Sequence, residues 1–230
     1  MAITLHHHDY WPASMAAKIA CADAGVSPTI STVTPPKPAN AGPARLVDTN
    51  GFHNDTFEVW EGMGCITYLH ERRNAHNGVD FIPPVPCMIP LTFQWSSWAA
   101  RELLPPVETL LLHGLITTGS ATEFDRAKDL AAGALDYLET QVPPAGKFIN
   151  REDPDPHGNN QAGRYGLADL LVGAAVSYLR LMEPSEQIFD TAAKHQKVHA
   201  YVESLEQRTH WNAALKDLTF GNPPKQIKRP

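Results

Sequence analysis

The residue pattern of this chain changes character once, and that break limits what it can fold into. Residues 1–73 mix short β-type alternations with helical spacings. Residues 74–90 are irregular and proline-rich, ending Ile82-Pro-Pro-Val-Pro-Cys-Met-Ile-Pro90. From Leu91 onward, nearly every apolar stretch repeats at helical spacing. Strand side chains alternate with a period of two and helix side chains with one of 3.6, so one hydrophobic pattern does not serve both. The break predicts an α/β domain over 1–73, a linker over 74–90, an all-α domain over 91–218 and an extended tail over 219–230. At 230 residues the chain is long enough to bury a core in such an arrangement.

Within the first part, Ile3 to His8 reads as a strand. Pro12 to Ala24 reads as a helix, with proline in the first turn and Gly25 at the C-terminal stop. Thr29 to Val33 is a second strand, and a strand–helix–strand order predicts a parallel pair. Arg45–Asp48 and Phe57–Trp60, joined by turn-rich residues, predict a hairpin. At Trp60-Glu61 the alternation passes into the spacing Met63, Ile66, Leu69, so a strand ends where a helix begins and a carboxylate sits at the junction. The order βαβ then ββα is that of a thioredoxin-like fold. Thr34 to Gly42 is too short and too rich in proline to supply another helix.

In the second part, Ala127, Leu130, Ala134 and Leu138 form one apolar stripe, and Val198, Val202 and Leu205 another. Between them Leu167, Leu170, Leu171, Ala174, Ala175, Tyr178 and Leu179 form a stripe wide enough for a helix buried on most sides. Phe93 to Leu104 is helix-like, and Pro105-Pro106 is expected to kink or end it. Asn150 to Gly163 reads as a loop.

Composition removes several classes of function. A formal charge of −6 with scattered basic residues argues against a nucleic-acid surface. No stretch approaches the roughly 20 apolar residues of a membrane span, and no basic-then-apolar leader opens the chain, so a cytoplasmic protein without a membrane partner is expected. Cys21, Cys65 and Cys87 are odd in number and lack a CxxC pair, which points to free thiols. His6 and His8 share a strand face, but two imidazoles fall short of a zinc site, so no metal is expected.

The junction at Glu61, the segment Tyr165-Gly-Leu-Ala-Asp-Leu-Leu-Val172 and the closing pattern Val198 to Ala214 resemble a cytosolic glutathione transferase of the fungal type over essentially the whole chain. The resemblance implies the glutathione transferase fold, glutathione as cosubstrate, a hydrophobic small-molecule acceptor and a homodimer. It places the γ-glutamyl end of glutathione at Glu61 and Gly62, with Gly62 standing where the family carries serine. A lost charge-assisted hydroxyl contact there is worth about 1.5–3 kcal/mol. It also implies a cis proline at Pro43 that, with Ala44, presents backbone to the cysteinyl unit. Asp169 is then a helix cap, with Gly166 where the family has serine or threonine.

Thiol activation in that family uses a hydroxyl or cysteine after the first strand, aided by the first helix N-terminus. Aligned on Gly25, the family's tyrosine falls at His7 and its serine or cysteine near Trp11. The nearest hydroxyls are Tyr10 and Ser14, and His7 or His8 is a candidate proton shuttle. Trp11, Phe93, Trp95 and Trp98, with Tyr10, are the candidate acceptor pocket. Three readings stay open: a glutathione-dependent transferase of secondary metabolism, an isomerase or cyclase on the same fold that does not require glutathione, and a non-catalytic ligand- or protein-binding member.

Overall fold

The structure is a computed structural model. It describes residues 3–8, 11–32, 44–51, 55–72, 79–84, 86–116, 120–142, 148–149, 165–182, 188, 194–216 and 218. Tyr10, Pro43, the proline-rich stretch 34–42, the loop 150–163 and the tail 219–230 lie outside the described residues.

The first domain contains β1 (Ile3–His7), α1 (Pro12–Asp23), β2 (Thr29–Thr32), β3 (Arg45–Asp48), β4 (Phe57–Trp60) and α2 (Gly62–Arg72). The strands form one sheet in the order β2-β1-β3-β4, with β1 and β2 parallel and the other pairings antiparallel. Register carries the apolar alternation across the sheet. Leu5 opposes both Ile30 and Leu46, and Leu46 opposes Val59. The helix α1 has its proline in the first turn and passes into Gly25 at φ 68°, a left-handed stop that glycine takes without steric cost.

The helical domain contains α3 (Met88–Trp98), a π-helical turn (Ala99–Leu103), α4 (Leu104–Ile116), α5 (Ala121–Gln141), α6 (Leu167–Leu181), α7 (Gln196–Glu206) and α8 (Thr209–Lys216). Among the described residues after Leu91 there is no strand. Helix begins at Met88, inside the predicted linker, because Pro90 falls in a first turn that needs no donor from it. Pro105-Pro106 do not end the helix, one of the two outcomes expected of them, and the regular α pattern gives way to a π turn just before them. The π turn before them pairs the Leu104 N–H with the Ala99 carbonyl, five residues back.

The two domains share one core. Every residue of α6 from Leu167 to Leu179 is buried, as its wide stripe predicts. Helix α1 packs against both α2 and α6, and its buried alanines Ala13, Ala16, Ala17 and Ala20 let neighbours approach from several sides. The middle of the linker is tied to both domains: the Val79 N–H donates to the Asp23 carbonyl at the end of α1, and the Leu167 N–H at the start of α6 donates to the Phe81 carbonyl. Leu130 departs from the predicted stripe of α5. It is 51% exposed, and Ala131 takes the inward position instead. Among the described residues no helix is long and apolar enough to cross a membrane.

Candidate functional site

Helices α1 and α2 both begin at the same end of the sheet, and the π turn and α4 of the second domain stand opposite them. Between the two sides lies a crevice of about 180 Å³. Ala13, Glu61, Gly62 and Met63 line it from the first domain, and Ala100, Leu104, Pro105, Glu108 and Leu171 from the second. Two helix N-termini therefore meet at one cavity, and their partial positive charges favour an anionic ligand group there.

Glu61 has the one positive φ found at a non-glycine position among the described residues, 65°. Its N–H donates to the Ala44 carbonyl at 2.7 Å, and its own carbonyl accepts the Cys65 N–H at 2.9 Å, the first bond of α2. The backbone is thus held from both sides in a conformation that disfavours a side chain, and the carboxylate stands exposed at the crevice.

Gly62 is closely hemmed in. A Cβ built on it meets the Ala13 carbonyl oxygen at 2.7 Å and the Ala13 Cβ at 3.0 Å. The absence of serine here follows from the contact between the starts of α1 and α2, which leaves no volume for a side chain.

Ser14 is buried between β1 and α1. Its hydroxyl accepts the His8 N–H at 2.9 Å and lies 2.9 Å from His7 Nδ1. The hydroxyl is fully enclosed and engaged on both sides, so Ser14 fastens the turn between strand and helix and does not face the crevice. The structure brings Ser14 and His7 together as a buried pair. His8 packs edge-on against Trp11, with ring centroids 5.1 Å apart. His6 points to the opposite sheet face beside Arg45, and burial together with that guanidinium lowers its pKa. The three consecutive histidines thus serve three separate environments. Among the described residues no group of three metal-ligating side chains occurs.

The aromatic residues fall elsewhere. Trp11 is 2% exposed at the N-cap of α1, where its carbonyl accepts the Ser14 and Met15 N–H groups. Trp95 and Trp98 stack edge-on at 5.4 Å and both adjoin Tyr137 of α5. The inward face of α3 is formed by Met88, Thr92 and Ser96 instead, with the two hydroxyls satisfied by carbonyls one turn back. None of Trp11, Phe93, Trp95 and Trp98 lines the crevice. Sequence reasoning passed over Glu108, whose signal is a lone carboxylate one turn after Leu104 in an otherwise apolar run.

Asp169 is a cap, as its position implies. One carboxylate oxygen accepts the Gly166 N–H at 3.0 Å; the other accepts the Ile149 N–H at 2.8 Å and the Tyr201 hydroxyl at 2.9 Å. Gly166 has no side chain to return the bond, so half of the reciprocal box remains. Complete burial pushes the Asp169 carboxyl up to about 6, against the pull of its donors.

No protein-family model matches the chain, and no curated protein matches it in sequence. Solved structures do match in fold. A glutathione transferase from Burkholderia graminis, with two glutathione molecules bound per subunit, aligns with a TM-score of 0.74 at 16% identity over 96% of this chain and 90% of that one. A glutathione transferase family member from Pseudomonas fluorescens, with two glutathione bound, aligns at 0.73 and 13% identity over 93% and 92%. A theta class glutathione S-transferase from Xanthomonas axonopodis pv. citri, with glutathione bound, aligns at 0.69 and 16% identity over 95% and 99%. The chain has the glutathione transferase fold.

Proposed function

We propose that this chain binds glutathione in the interdomain crevice and uses it to transform a hydrophobic small molecule, as a homodimer in the cytoplasm. Glu61 carries the reading. An L-residue at φ 65° costs about 1–2 kcal/mol, a cost glycine would avoid, so a carboxylate kept at that position has a use. The α-ammonium of a γ-glutamyl group is a fitting partner, and the two converging helix N-termini suit the carboxylate and the thiolate of the same peptide. The bound glutathione in structural relatives supports the same assignment.

The test compares Glu61→Gly with the parent by titration calorimetry using reduced glutathione, alongside thermal unfolding. Removal of the carboxylate weakens binding at least tenfold, while relief of the strained backbone leaves Tm no lower. Unchanged affinity in this variant overturns the proposal.

The enclosure of Ser14 favours a second reading, in which the fold binds glutathione but activates it weakly. With that hydroxyl tied to His7 and His8, activation rests on the helix N-termini, and a bound thiol keeps a pKa within about a unit or two of a free one. Tyr10 remains the proposed alternative hydroxyl. The ultraviolet thiolate band of bound glutathione against pH separates the readings: a strongly lowered thiol pKa that Tyr10→Phe abolishes excludes the weak-activation form.

A further inference from the structure

We propose that Glu108 selects the acceptor, and that the acceptor is a lipophilic cation: an apolar electrophile carrying a quaternary ammonium or protonated amine. The inference rests on the reading of the crevice as a glutathione site and names the second substrate of that site. Glu108 lies one turn after Leu104 on the same face of α4 and is half-buried there. The rest of the second-domain wall is apolar, formed by Ala100, Leu104, Pro105 and Leu171. Among the described residues that line the crevice, none is Lys, Arg or His.

The two walls therefore differ in charge. On the first-domain side, the starts of α1 and α2 favour anionic groups, and Glu61 takes the γ-glutamyl ammonium. Glutathione brings one ammonium, whereas the crevice has a second carboxylate on the opposite wall. With the γ-glutamyl end at Glu61 and the thiol toward the helix starts, the space against α4 falls to the acceptor. At about 180 Å³ the crevice is smaller than the roughly 300–1,000 Å³ of a site enclosing a whole small molecule. It holds the reacting ends of two substrates, so the acceptor's charge belongs at its reacting end.

A neutral acceptor laid over that wall strips water from the Glu108 carboxylate and returns nothing for it. An anionic acceptor meets like charge. A cationic one replaces the lost hydration with an ion pair while its apolar body covers Leu104 and Pro105. A carboxylate has two oxygens and about four acceptor sites, so it accommodates a ligand alongside bonds within the protein. Glu108 forms no bond in the transfer itself. The thiolate sulfur bonds to the electrophilic carbon, a leaving group such as chloride departs with its electron pair, and the thiol proton passes to solvent.

The experiment titrates the full chain by calorimetry with reduced glutathione and two synthetic conjugates, S-[4-(trimethylammoniomethyl)benzyl]glutathione and its neutral isostere S-(4-neopentylbenzyl)glutathione. The parent binds the cationic conjugate at least tenfold more tightly than the isostere. Glu108→Gln brings that ratio within twofold, and Glu108→Asp, which keeps the charge, retains most of it. Glu61→Gly weakens both conjugates together and preserves the ratio. Each ratio is taken within one protein, so a general loss of binding cancels. A ratio near one in the parent, a tenfold ratio that persists in Glu108→Gln, or a ratio abolished by Glu61→Gly overturns this inference and leaves the glutathione site standing. Failure of glutathione and both conjugates to bind the parent overturns the glutathione reading and this inference with it.

Discussion

Replacing Gly62 by serine separates two explanations for the missing hydroxyl. If glycine merely lacks a contact, Gly62→Ser restores a hydrogen bond to the γ-glutamyl carboxylate and strengthens glutathione binding by about 1.5–3 kcal/mol, roughly ten- to hundredfold. The structure predicts otherwise. The new Cβ lies 2.7 Å from the Ala13 carbonyl oxygen and 3.0 Å from the Ala13 Cβ, so it meets backbone that no rotamer change can move aside. Relief requires the starts of α1 and α2 to separate. Overpacking of this kind costs about 1–3 kcal/mol. For a chain of this size, that lowers Tm by roughly 2–12 °C. Gly62→Ala shares the Cβ without the hydroxyl and falls by a similar amount. Thermal unfolding by circular dichroism and glutathione calorimetry are read on the same preparations. A Gly62→Ser protein with parental Tm and tenfold tighter binding refutes the steric argument.

Asp169 binds its proton more tightly in the folded chain, at about 6, than the ordinary carboxyl near 3.9 does unfolded. The folded state therefore holds more protons between about pH 4 and pH 6, and this group's contribution to stability falls as pH rises through that window. Asp169→Asn flattens that part of the stability–pH curve, as denaturant midpoints measured at pH 4, 5 and 6 will report. Ser14→Ala leaves His7 Nδ1 and the His8 N–H without their shared buried partner, and urea unfolding is expected to show a loss of about 1–3 kcal/mol. Native alkylation with iodoacetamide at pH 8 modifies Cys87, which is exposed. Cys21 and Cys65 resist until the protein unfolds, because both are buried and desolvation pushes the Cys65 thiol up to about 12 and Cys21 higher still. Mass spectrometry showing rapid modification of either buried thiol contradicts that account.

Local periodicity made much of the fold legible before any coordinates. The alternation of Phe57–Trp60, the spacing of Met63, Ile66 and Leu69, and the all-round apolar run of α6 depend on near neighbours along the chain, and the elements formed where those patterns stand. The capping role of Asp169 was likewise visible, since a carboxylate three residues into a helix can reach back to the backbone just before it; its further bonds to the Ile149 N–H and the Tyr201 hydroxyl were not. What the sequence left open was which faces meet, because that depends on residues far apart in the chain. Trp95 and Trp98 of α3 stand toward Tyr137 while Thr92 and Ser96 turn inward, a choice made by packing against α5 and α6. The helix continues through Pro105-Pro106 with a π turn just before them, a local departure from α geometry that the proline rule by itself does not specify. Ser14 could be placed near the end of β1 from sequence, but only the docking of strand on helix encloses its hydroxyl between His7 and His8. Gly62 read as a lost ligand contact until the approach of α1 to α2 showed that tertiary packing excludes any side chain there.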